Sequence, residues 1–128
     1  MSFKDEMTAA KVHALGVVNE LKQETVIELF SSIILDTPVD TGRLRGNWNT
    51  SLDRPNLMTS DETDKSGRKT IAEMQNKVLS AELSSSMYLT NNLPYAVAIE
   101  NGHSKNRPQG MVRTNLARIK ANLARAKK

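Results

Sequence analysis

Over residues 3–35 apolar side chains recur at helical spacing. Val12, Leu15, Val18, Val26, Leu29, Phe30 and Ile33 share one broad face, which predicts a single long helix. Residues 26–35 are the most apolar run in the chain and the expected core. The first half is diluted by Lys11, Asn19, Lys22, Gln23 and Glu24, so it is expected to project from the body and to need another chain to cover it. At 1.5 Å per residue such a helix is about 45 Å long, more than the width of a small domain. Asp36-Thr37-Pro38 ends it, because the residue before a proline is pushed out of the α region.

The period then changes. Val39-Asp40-Thr41-Gly42 is a turn sequence, with Asp40 read as an Asx-type turn residue. Over residues 43–52, Leu44, Trp48, Thr50 and Leu52 alternate with Arg45, Asn47, Asn49 and Ser51, the period of a half-buried strand. Residues 53–67 show turn chemistry and no periodicity. They are expected to form a long mobile loop, with Leu57, Met58, Asp61 and Glu62 available for contacts. Helix returns over 68–83 with Ile71, Met74, Val78 and Leu79 inward, until three serines break it, and residues 87–90 read as a short strand.

Residues 91–104 place Pro94 at a first helical position and Gly102 just past a helix end. Tyr95, Ala98 and Ile99 can share a face of the two turns between. A helix this short must dock on something, since nucleation is costly. Residues 110–126 form an amphipathic helix striped by Val112, Leu116, Ile119 and Leu123, with Arg113, Lys120 and Lys127 on another face. The sum is an α+β fold in one domain, residues 1–128. A small, mostly antiparallel sheet is packed by a long N-terminal helix, a middle helix and a C-terminal helix. Two strands make a weak sheet, so further short strands are expected at the margins of the 53–67 loop.

Charge adds an asymmetry. Residues 1–101 hold ten basic and fourteen acidic residues, a balance of −4; residues 102–128 hold eight basic and no acidic ones, a balance of +8. That end suits a negative partner, either nucleic acid or a neighbouring subunit's acidic face, or else it is a solvated helix whose cations suit its C-terminal dipole. There is no cysteine, which removes disulfides, thiol nucleophiles and Cys-based zinc sites. No apolar run approaches the roughly 20 residues of a membrane span, and the charged start carries no signal-peptide pattern. His13 and His103 lack ligand-spaced neighbours, and no hydrolase or phosphate-loop motif occurs, so neither catalysis nor a cofactor is expected. Glu100 sits where a helix dipole disfavours an acid. Arg43 and Arg45 are its candidate partners.

Two motifs, taken together, resemble a known family. Thr37-Pro38-Val39-Asp40-Thr41-Gly42-Arg43-Leu44-Arg45-Gly46-Asn47-Trp48 is similar to one signature of the tailed-bacteriophage head–tail joining, or tail-completion, proteins. Asn91-Asn92-Leu93-Pro94-Tyr95-Ala96, followed by Ile99-Glu100-Asn101-Gly102-His103-Ser104 and Gly110-Met111-Val112, is similar to a second. Asn106-Arg107-Pro108-Gln109 departs from the family's usual Gln-Ala-Pro. The resemblance implies a structural virion protein of the neck, made in the host cytoplasm. It implies assembly into a ring, typically sixfold, that meets connector or adaptor and tail-tube proteins and lets DNA pass without specific binding. It implies no enzyme. His103, Lys105, Arg107, Arg113 and Lys120 join the 53–67 residues as candidate contacts. The alternative from the charge alone is a small DNA-binding protein using the C-terminal helix.

Overall fold

The computed structural model describes residues 2–103 and 110–126. Helix α1 (Phe3–Asp36) opens with a capping box: the Ser2 hydroxyl accepts from the Asp5 N–H, and the Asp5 carboxylate accepts from the Ser2 N–H. As expected, it ends where Thr37 turns extended (φ −67°, ψ 126°) ahead of Pro38. The order then runs α2 (Arg43–Gly46), β1 (Asn49–Leu52), α3 (Arg68–Leu79), β2 (Met87–Thr90), α4 (Ala96–Ala98), a wide turn over Ile99–His103, and α5 (Val112–Ala126). The α+β class is as read from the sequence. No helix among the described residues is long and apolar enough to cross a membrane.

The core is built on the second half of α1. Phe30, Ile33 and Ile34 meet Trp48, Met74 and Val78, and Met111 closes the cluster beside the start of α5. Ile34 and Val78 are fully buried. At roughly 1.5–3 kcal/mol per buried large aliphatic or aromatic side chain, this cluster is the main stabilising mass of the fold. The first half of α1 differs. As expected of this half, residues 3–18 are exposed throughout: Val12, Leu15 and Val18 share the apolar face by spacing, but none of the described body lies over them. The body reaches α1 only from Asn19 onward, where the Lys22 ammonium donates to the carbonyls of Leu83 (2.9 Å) and Ser85 (2.7 Å) and Gln23 donates to Ala81 (3.1 Å).

Several sequence expectations are corrected here. Residues 43–46 form a helical turn rather than the first half of a strand, because Thr41 and left-handed Gly42 (φ +89°) start a helix: the Gly46 N–H donates to Gly42 O (2.9 Å). Asn47, placed on the solvent side by alternation, is buried. It donates to the carbonyls of Arg43 (2.7 Å) and Ser60 (2.9 Å) and accepts from the Ser60 N–H (2.8 Å). The sheet has two antiparallel strands among the described residues, with Asn49 opposite Thr90 and Leu52 opposite Met87. No further strand forms at the loop margins. The pair is stable at this size because Met87 and Leu89 lie against the core and α3 packs across β1. α3 stops at Leu79, one turn earlier than expected, and Leu79 itself is exposed. α5 follows its predicted range, yet its buried line is Met111, Asn115 and Ile119, with Leu116 and Leu123 exposed.

Trp48 and Thr37 lock α1 to β1. The indole N–H donates to the Thr37 hydroxyl (2.7 Å), which in turn donates to Ile33 O (2.7 Å), all in buried surroundings. Thr37→Val keeps the shape and removes the acceptor, leaving a buried indole donor unpaired. We expect a loss of about 1–3 kcal/mol, read by urea unfolding followed through the fluorescence of this sole tryptophan; an unchanged midpoint would show that the bond contributes nothing net.

Candidate interaction site

The two motif segments, separated by more than forty residues, meet at one corner. Leu44 from α2 packs with Leu93 and Ala96, and Ile99 lies against them. The Asn91 side-chain amide donates to Leu44 O (2.8 Å), tying the strand exit to the helical turn. Pro94 and Tyr95 form the turn into α4 and are exposed, so the docking face is Leu93, Ala96 and Ile99 rather than the Tyr95 face. An open groove of about 490 Å³ runs between the segments, floored by Leu44 and Ile99 and rimmed by Pro38, Asp40, Arg43 and Tyr95. Asp40 is exposed and makes no hydrogen bond among the described residues. The turn is stabilised instead by the Thr41 hydroxyl, which accepts from the Arg43 N–H (3.2 Å).

The 53–67 loop, expected to be free, is hydrogen-bonded onto this corner. The Arg43 guanidinium donates to Ser60 O (3.1 Å) and pairs with Asp61 (3.2 Å). Arg45 donates to the carbonyls of Leu35 (2.8 Å), Thr37 (2.8 Å) and Lys65, joining the end of α1 to the end of the loop. The Thr90 hydroxyl and the Asn92 amide both donate to Asn56 O (2.7 Å each). Between the anchors at Asn56 and Ser60, Leu57 and Met58 stand almost fully exposed, at 76% and 71%. Two apolar side chains are thus presented on a fixed backbone, an arrangement that suits contact with another surface. Glu62 is held by Lys69 (2.9 Å) at the surface.

Glu100 does not meet Arg43 or Arg45; both arginines are occupied by backbone carbonyls and Asp61. Its carboxylate caps α5. Oε1 accepts from the N–H groups of Met111 (2.7 Å) and Val112 (2.8 Å), and Oε2 from those of Arg113 (3.0 Å), with the Arg113 guanidinium alongside at 3.3 Å. The N-terminal dipole of α5 therefore removes the penalty that the sequence position implied. Burial alone would push the Glu100 carboxyl up, but the three N–H donors and Arg113 outweigh it and hold the pKa below its usual value. Asp64 does the same for α3. Burial again acts upward, and the Thr70 N–H and hydroxyl (2.8 Å each) with the Gly67 N–H (3.0 Å) bring the net shift down. One signal for the Glu100 contact was present: α5 has no Ser, Thr, Asp or Asn immediately before it, so its cap had to come from elsewhere.

Lys105 and Arg107 lie outside the described residues, as does the side chain of His103. Arg113 is committed to Glu100, Arg118 reaches Glu28 (3.1 Å), and Lys120 is exposed. No group of three or more potential metal ligands gathers among the described residues. The chain was compared with protein-family profiles, with curated proteins and with solved structures, and none of them matches it.

Gly110 (φ +83°) lets α5 approach its cap, since a Cβ there would lie 2.5 Å from Glu100 O. We expect Glu100→Gln to cost about 1–2 kcal/mol at neutral pH. Because the folded pKa is lowered, the carboxylate's contribution is present above its unfolded value near 4.5 and is lost as the pH falls through the folded value. The stability gap between wild type and variant, measured by denaturant midpoints, therefore narrows below that pH; a gap that persists unchanged would disprove the charge-based cap. Gly110→Ala should destabilise by more than about 1 kcal/mol, read as a drop in thermal midpoint.

Proposed function

We propose that this chain is a structural virion protein of a tailed phage, assembling as a ring at the neck, where it joins or completes the tail at the head connector. The observation that carries the reading is the exposed half of α1. A helix that projects with Phe3 at 77% exposure and Val12 at 65% is a surface a solitary chain leaves uncovered. The resemblance of the two motif segments to the tail-completion family adds to this, as does their meeting at one corner beside the exposed Leu57-Met58 pair. In this role the chain is not an enzyme and needs no cofactor. Its partners are other copies of itself and the connector or adaptor and tail-tube proteins, and it resides in the virion.

Double-stranded DNA has to pass such a ring without being held, which disfavours a strongly basic lumen. Two cations of α5, Arg113 and Arg118, face acids of the chain's own body, Glu100 and Glu28. That pairing counts against α5 as a duplex-binding helix and favours basic residues directed at protein. Negative-stain imaging and native mass measurement, on purified protein alone and with tail tubes, test the reading. Rings or capped tubes are expected, with no DNA affinity that falls steeply from low to physiological salt. Tight, salt-dependent duplex binding by a monomer, with bare tubes, would reverse it in favour of the DNA-binding alternative.

A further inference from the structure

The exposed half of α1 carries a second apolar line, distinct from the core face. Phe3, Met7, Ala10, Ala14, Val17 and Leu21 follow one another at alternating steps of four and three, the spacing of the a and d positions of a heptad. All six are exposed. By helical spacing the line runs on the side of α1 away from Asn19, Lys22 and Gln23, the residues through which the body grips the helix. It stops where the body begins: the next two positions of the repeat are Glu24 and Glu28, and Glu28 already pairs with Arg118. Among the described residues, nothing covers this seam.

The flanking charges say what fits it. One flank, the e positions, carries Lys4, Lys11 and Val18; the other, the g positions, carries Glu6, His13 and Glu20. In a parallel, in-register pairing each g residue faces the e residue of the next heptad on the neighbour, so Glu6 meets Lys11 of a second copy and Lys11 meets its Glu6. In an antiparallel pairing e faces e and g faces g, which sets lysine against lysine and glutamate against glutamate. Ala10 and Ala14 in the middle of the line let two backbones approach closely, while Phe3, Met7, Val17 and Leu21 fill the ends.

We propose that residues 3–21 of α1 pack in parallel and in register against the same residues of a second copy of this chain. The inference takes from the neck reading only that copies of the chain assemble, and names the surface and orientation through which they do so. Because the same residues face each other, the seam is an isologous, two-fold contact: it joins two copies and does not itself close a ring, whose neighbours meet through different patches.

The absence of cysteine makes the orientation directly measurable. Met7→Cys lies on an exposed position and leaves the core untouched. Under mild oxidation at high protein concentration, alone and with tail tubes, it should give a disulfide-linked dimer that reductant dissolves. A mixture of Met7→Cys and Val17→Cys should give no mixed dimer, because residue 7 faces 17 only in the antiparallel alignment. Adding Glu6→Lys to Met7→Cys should lower the cross-linking rate several-fold, and adding Lys11→Glu to that pair should restore it. No Met7→Cys dimer under any of these conditions, or a predominant 7–17 product, overturns the proposal. Capped tubes without cross-linking would remove the seam and leave the neck reading standing; cross-linking with bare tubes would support the seam and remove the neck reading.

Discussion

Everything after Asp36 depends on one face of one helix. The strands are four residues each, α2 and α4 are single turns, and none of them is long enough to be stable unaided. The Phe30-Ile33-Ile34 face supplies the apolar surface on which Trp48, Met74, Val78 and Met111 converge from three other parts of the chain. Because α1 is continuous through its exposed and buried halves, whatever orients the body also fixes the direction of the projecting half.

Polar side chains do the second part of the work, and they act on backbone far more than on one another. Arg45, Asn47, Asn91 and Asn92 each satisfy carbonyls of a different segment, while Asp64 and Glu100 take up the open N–H groups of α3 and α5. This is how a chain with so little regular sheet ties its loops and helix starts to the body. The same use of polar groups empties the two motif segments of a clustered acid–base set. It also holds Leu57 and Met58 outward on anchored backbone.

The molecule divides accordingly. Residues from about the middle of α1 onward make a closed body with a groove and an apolar loop tip, and residues before it make an arm with an uncovered seam. Apolar surface left open on both parts is the kind of surface that a partner can cover.

The long helix, the middle helix, the β2 strand and the C-terminal helix were legible in the sequence, because their periodicities extend over several turns or pleats and local sterics at Pro38 mark the boundary. The two motif segments could be picked out as segments. Their partners could not. Alternation placed residues 43–47 in a strand, yet left-handed Gly42 starts a helix there, and Asn47 is buried because Ser60 of a distant loop satisfies its amide. Glu100 was recognisable as an acid needing a partner, but the uncapped start of α5 answers it with three N–H groups, while Arg43 and Arg45, its expected partners, are taken up by the 53–67 loop and the end of α1. Sequence alone determined which residues are apolar and at what period; only the tertiary structure decided which apolar line of α1 is core and which is open. The physical reason is that burial and hydrogen-bond satisfaction are properties of segments brought together, and a single chain's periodicity carries no record of what lies opposite.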